Sequence, residues 1–191
     1  MFEENIFLKW VKEGKIEFTK EGTILAFNEH IIQIPVRVLN RLFILLKENL
    51  GENKAQEILK ELGGFQVKQA FQRYIRIMGW KYVPKDKIWE FVKNVLISLG
   101  LGKYTIEKTE EKYIFLISKS PFAEEFVVEY GNQKNPIDHY IAGGLEVFIK
   151  AITGKPMVCE EIKCYAKGDD CCEFIVKPKE EKNSDKFLYL I

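Results

Sequence analysis

The chain has 191 residues, 47% of them hydrophobic, with 29 Lys and Arg against 28 Asp and Glu for a formal net charge of +1. That length and apolar fraction suit one compact core and exclude a disordered chain, while the charge balance removes the electrostatic basis for coating nucleic acid or an anionic membrane. No apolar run approaches the roughly 20 residues of a spanning helix, and Met1-Phe2-Glu3-Glu4-Asn5 lacks the basic and apolar regions of a secretion signal, so a cytoplasmic protein is expected.

Residues 1–14 pattern as a short helical arm, with Phe7, Leu8 and Val11 at helical spacing. Residues 15–18 and 23–34 read as two strands about the turn Lys20-Glu21-Gly22, and Pro35 ends that unit. We therefore take 1–35 as an N-terminal arm and hairpin, and 36–191 as the main domain of one compact unit. Residues 36–50 form an apolar-rich helix closed by Gly51. A second helix is expected over 53–62. Gly63-Gly64 either breaks it or marks a point of close packing before helical spacing resumes over 65–78. Pro84 opens a further helix over 85–99.

Residues 104–107 and 112–118 alternate as a hairpin, and Ser120-Pro121 starts a helix through Phe126 and Val127. Asn135-Pro136 starts the next, which stops at Gly154 and contains the small residues Ala142, Gly143 and Gly144. Each interior glycine costs a helix about 1 kcal/mol relative to Ala, so something must pack very close there: a sheet, the following hairpin or a second subunit. Residues 157–166 and 171–177 form the final hairpin around Lys167-Gly168-Asp169. Hairpins with helices between them give an α+β domain, an antiparallel sheet with helices packed on it. The aromatic residues, Phe71, Phe115, Phe126 and Phe148 among them, read first as core.

All four cysteines, Cys159, Cys164, Cys171 and Cys172, fall in the final hairpin. A disulfide framework would spread them along the chain; clustered cysteines point to metal binding or redox chemistry. A hairpin centred on Gly168 sets Cys164 across from Cys172, both on the apolar face with Ile162, Ala166, Phe174 and Val176. Two thiolates so placed can share one zinc, or be small core residues. Glu161 falls on the opposite face by strict alternation, and reaches the thiols only through a bulge or bend. Cys171 should face outward.

The segment Glu161-x-x-Cys164-Tyr165-Ala166-Lys167-Gly168-Asp169-x-x-Cys172-x-Phe174, with Asp138-His139-Tyr140-Ile141-Ala142-Gly143 upstream, resembles the C-terminal hallmark of 4-vinyl reductase domains over residues 135–176. That resemblance implies a fold similar to the sensory domains of phenol-responsive activators, and to the nitric-oxide-signalling and Golgi-transport ligand-binding fold. It also implies a homodimer that binds a small hydrophobic molecule and holds zinc. Carried over by position, the zinc ligands are Asp138, Glu161, Cys164 and Cys172. Asp138 stands where the family pattern has Cys, which leaves His139 and Cys159 as alternatives for the fourth ligand. A competing reading makes Asn135 an N-cap, Pro136 the first helical residue and Asp138 a reciprocal capping group that needs no metal.

The expected function is a zinc-containing sensory domain that passes its signal to a separate downstream protein, with ligand-binding residues unassigned. The alternatives are a reductase or accessory protein acting on a vinyl tetrapyrrole, and a dimeric scaffold. Direct catalysis is not expected: the chain has no GxGxxG or GxxxxGK[ST] loop, and its two histidines, His30 and His139, stand apart.

Overall fold

The computed structural model describes residues 6–77 and 100–180, together with 87, 89, 92, 93, 96 and 97. The expected helix over 85–99 lies mostly outside these residues. Helix α1 (Ile6–Lys12) leads into a meander of three short strands, β1 (Ile16–Phe18), β2 (Ile24–Ala26) and β3 (Glu29–Ile31). The sequence suggests one strand over 23–34, but Phe27 and Asn28 take positive φ values of 53° and 64°, so the chain reverses there in a two-residue hairpin loop. Trp10, Ile16 and Ala26 form a small core of their own, with Phe27 edge-on to Trp10 at 4.9 Å. An ion pair between Glu29 and Arg73 ties this unit to the main domain.

Helix α2 (Val36–Leu50) ends at Gly51 as expected, where a φ of 82° favours glycine. Helix α3 (Glu52–Ile77) then runs without interruption through Gly63-Gly64. The glycines mark close packing rather than a break. A Cβ on Gly63 would lie 1.9 Å from the Tyr140 carbonyl oxygen, and one on Gly143 would lie 1.9 Å from the Lys60 carbonyl oxygen. Helix α3 thus crosses a later helix, α5 (His139–Thr153), backbone against backbone. The small residues Ala142, Gly143 and Gly144 are buried against α3 within this chain, so they offer no surface to a second subunit.

Strands β4 (Thr105–Lys108) and β5 (Tyr113–Ile117) form the expected hairpin, followed by α4 (Pro121–Tyr130). Ser120 caps α4 by accepting from the N–H groups of Phe122 and Ala123. Strands β6 (Met157–Lys163) and β7 (Cys172–Pro178) complete a four-stranded antiparallel sheet in the order β4-β5-β7-β6. Helix α5 packs on β6 and β7, α3 packs on α5, and α2 bridges α3 and α4. The main core, with Phe115, Phe126, Leu145, Ile149 and Phe174 fully buried, lies between this sheet and the helices.

Candidate metal centre

Two departures from regular local structure build the site. The first is in β6. Glu161 pairs with Phe174 but Lys163 pairs with Glu173, so Ile162 is an extra residue opposite nothing in β7. A one-residue bulge inverts side-chain parity along a strand. Glu161 therefore shares a face with Phe174 and Cys172, while Ile162, expected on the apolar face, is turned out and 41% exposed. The pairing Lys163↔Glu173 sets Cys164, just beyond β6, level with Cys172 at the start of β7.

The second departure is at the start of α5. The helix begins at His139, three residues later than Pro136, and Asp138 is the flanking residue. Its side chain makes no capping hydrogen bond, so the reciprocal-capping reading does not hold. Instead its backbone N–H donates to Glu161 Oε2 at 2.9 Å, and its carboxylate turns inward with the residue 1% exposed.

The result is a buried cluster in which one ligand atom from each of Asp138, Glu161, Cys164 and Cys172 lies within 4.8 Å of all the others. A tetrahedral zinc with bonds of 2.0–2.3 Å has ligand–ligand edges of about 3.3–3.8 Å, so modest contraction would close the set on an ion. Both Asp138 oxygens and Glu161 Oε1 are buried with no hydrogen-bond partner among the described residues. Buried carboxylate oxygens left bare cost free energy that a bound cation would recover. The donor set therefore fits a metal.

The electrostatics agree. Burial, the neighbouring Glu161 carboxylate and the Cys172 sulfur push Asp138 well above the ordinary carboxylate range. Burial raises Glu161 to about 7, although hydrogen bonds from Cys164 and the Asp138 N–H oppose it. The Cys164 thiol donates to Cys172, which holds Cys172 down to about 6 and drives Cys164 up. The Tyr165 N–H adds a further donor to Cys172 Sγ at 3.3 Å. Four acidic groups thus share one buried volume with no ion pair to a basic side chain among the described residues. Protons or a cation must neutralise them.

The alternative ligands lie elsewhere. Cys159 is fully buried on the sheet, where burial pushes its thiol up, and its backbone is held by Glu146 and Lys60. His139 sits with its ring 5.4 Å from Phe43, and burial followed by the Lys60 charge lowers its pKa to about 4. Cys171 is half-buried, outside the cluster. Two neighbours had no signal as site residues in the sequence. Ser120, fully buried, was legible only as a helix cap, and Tyr104 is 5% exposed with no partner for its hydroxyl among the described residues.

The span from the Ser120 cap to the end of β7 carries both departures and all four donors, and it coincides with a known domain. Residues 120–178 match the 4-vinyl reductase domain family. That match contains the hallmark at 135–176 and extends it upstream to the helix α4 cap. Among solved structures, the phenol-responsive sensory domain of the transcription activator PoxR with phenol superimposes with a TM-score of 0.76 at 18% identity, covering 96% of this chain and 94% of that one. A vinyl-4-reductase family protein from Methanocaldococcus jannaschii gives 0.51 at 20% identity, over 78% of this chain and 85% of that one. Trafficking protein particle complex subunit 3 from Naegleria fowleri, covalently bound to palmitic acid, gives 0.53 at 16% identity, over 76% and 95%. These likenesses establish the α+β fold that the C-terminal hallmark implies. An uncharacterised M. jannaschii protein is 28% identical over 101 residues, 53% of this chain; the match spans 57% of that relative's length. No helix among the described residues is long and apolar enough to cross a membrane.

Proposed function

We propose that the protein is a small-molecule-binding sensory domain of the 4-vinyl reductase type, with a structural zinc held by Asp138, Glu161, Cys164 and Cys172. The observation that carries this reading is the buried cluster itself: four acidic donors converge, and three of their carboxylate oxygens lack a hydrogen-bond partner among the described residues. Two thiolates and two carboxylates suit zinc among the common cations, since calcium and magnesium prefer oxygen alone. When bound, zinc would neutralise the cluster and take four protein ligands, which leaves no open position for a substrate. The chain's own residues then fix the end of the sheet to the start of α5, because Asp138 comes from the helix and the other three donors from the β6–β7 hairpin.

The ligand reading rests on likeness in fold to a phenol-responsive sensory domain over nearly the whole of both chains. Beside the α3–α5 crossing lies a narrow apolar cavity lined by Val67, Tyr140, Ile141, Leu145 and Phe148. Its volume of about 20 Å³ admits one water rather than an aromatic ring, so a ligand entering here would have to part its walls. Through its similarity to 4-vinyl reductase domains we further take the protein to be a cytoplasmic homodimer that signals to a separate protein. Exposed Val38 and Leu45 on α2 offer an apolar strip for a subunit contact. Native mass spectrometry of the full chain, purified without chelator, tests these points together. One zinc per subunit, a dimeric mass and a small hydrophobic adduct are expected. Protein that carries no zinc and takes none up on addition would refute the metal reading; a monomer at micromolar concentration would refute the dimer.

A further inference from the structure

Helix α2 spends its inner face on the fold and leaves its outer face open. Phe43 is buried in the core, and Asn40 Nδ2 donates to the Phe122 carbonyl at 3.1 Å. On the other side Val38, Arg41, Leu45 and Glu48 follow one another at intervals of three, four and three residues, which sets them along one stripe of the helix. All four are exposed, Val38 by 51% and Leu45 by 42%. The stripe borders a shallow trough of about 570 Å³ between α2 and α4, lined in part by Leu42 and Tyr130.

The charges on α2 fall into two sets. Arg37 is paired within the chain, to Glu125 at 2.7 Å and Glu129 at 3.5 Å, and Lys47 is paired to Glu52 at 3.2 Å. Arg41 and Glu48 have no ion-pair partner among the described residues. They stand seven residues apart, whereas the intervals that pair side chains along a helix are three and four.

That spacing is self-complementary. An antiparallel helix related by a two-fold axis presents the same stripe in reverse. With the axis level with the peptide between Ile44 and Leu45, midway along the interval, Arg41 of each copy stands level with Glu48 of the other. Rotation about that axis keeps every residue on its own flank of the contact. At 3.6 residues per turn Arg41 and Glu48 differ by only about 20° around the helix, so they share a flank and meet. Leu45 faces its own counterpart across the axis. A parallel pairing would instead set Arg41 level with Arg41 and Glu48 level with Glu48.

We propose that a second copy of this chain covers the stripe: two α2 helices pack antiparallel about Leu45, with a reciprocal Arg41–Glu48 ion pair on either side of it. This rests on the homodimer reading above and names its contact surface. Apolar residues at the centre with opposite charges beside them form the layout in which packing supplies affinity and charge fixes register.

Sedimentation equilibrium of the full chain, from nanomolar to micromolar concentration, compares wild type with Arg41→Glu, Glu48→Arg and the double exchange, with urea midpoints to show that each variant is folded. Either single reversal brings like charges together at two symmetry-related contacts. At about tenfold for each contact, dimer affinity should fall about 100-fold. The double exchange restores opposite charges and should return to within about threefold of wild type. Leu45→Glu, which sets two acids across the axis, should weaken the dimer at least as much as a single reversal. Wild-type affinity in both single reversals overturns the proposed surface, as does a double exchange as weak as the singles. Wild type that is monomeric at micromolar concentration overturns the homodimer reading itself, a result distinct from either.

Discussion

Replacing Gly143 with alanine tests the close crossing of α3 and α5, on which the position of Asp138 depends. The new Cβ would lie 1.9 Å from the Lys60 carbonyl oxygen, whereas contacts under 3.0 Å are essentially never seen. One helix backbone must therefore retreat by about 1.1 Å from the other. Overpacking costs about 1–3 kcal/mol, and an obstacle made of helix backbone belongs at the upper end. The gain in helix propensity offsets about 1 kcal/mol, so a net loss of about 2 kcal/mol is expected for Gly143→Ala. Gly63→Ala should match it, because its Cβ meets the Tyr140 carbonyl at the same 1.9 Å. Gly64 and Gly144 provide the contrast: there the nearest atoms are side-chain methyls, Val147 Cγ2 at 2.8 Å and Val67 Cγ2 at 3.0 Å. A methyl can turn aside, so propensity and crowding should cancel to within about 1 kcal/mol. Urea denaturation at constant m-value reads these differences directly. Because α5 starts at His139, the same retreat should displace Asp138 and weaken zinc retention in Gly143→Ala. If Gly143→Ala is as stable as wild type, or Gly144→Ala is damaged equally, the backbone-contact argument is wrong.

Cys164→Ser or Cys172→Ser should release zinc and loosen the β6–β7 hairpin; zinc content unchanged in both, measured by elemental analysis after dialysis, would rule out a thiolate site. Asp138→Asn should weaken zinc affinity strongly in a chelator competition, whereas His139→Ala and Cys159→Ala should retain it, since neither side chain joins the cluster; the opposite ranking would reassign the fourth ligand. His139 predicts an acid-sensitive fold. Its pKa falls from an ordinary 6.5 to about 4 on folding, so between those values the unfolded chain takes up a proton that the native chain refuses. Stability is fully present above pH 6.5 and declines as the pH drops, by about 2 kcal/mol at pH 5. His139→Asn, which cannot titrate, should lack that component in denaturation at pH 7 and pH 5; parallel losses in both proteins would assign the acid sensitivity to other groups.

Much of the site was legible because turn chemistry and cysteine placement are local. Gly168 between Cys164 and Cys172 set the hairpin, and Ser120-Pro121 announced the start of a helix. What failed was whatever depended on partners distant in sequence. Gly63-Gly64 reads equally as a break or a contact until Tyr140 and Gly143 are seen against it. Asn135-Pro136 has the form of a helix start, yet the segment stays extended enough to deliver Asp138 to Glu161, and the helix waits until His139. Phe27-Asn28 hid a turn because phenylalanine is an uncommon residue at positive φ. Tyr104 had no signal as a site residue, since an orphaned hydroxyl is a property of its surroundings.

The bulge at Ile162 makes the cluster depend on counting as well as on chemistry. Glu161 and Cys164 are three apart, an odd interval in a structure that repeats every two residues, and only the extra residue brings them to the same side. Deleting Ile162 would remove the bulge and the odd interval together, so a regular strand would keep Glu161 opposite Phe174 and on the side of the other donors. The spacing between these two residues is thus matched to the bulge: homologous chains that keep both donors at an odd interval should keep an extra unpaired residue between them, and chains with an interval of two should pair regularly.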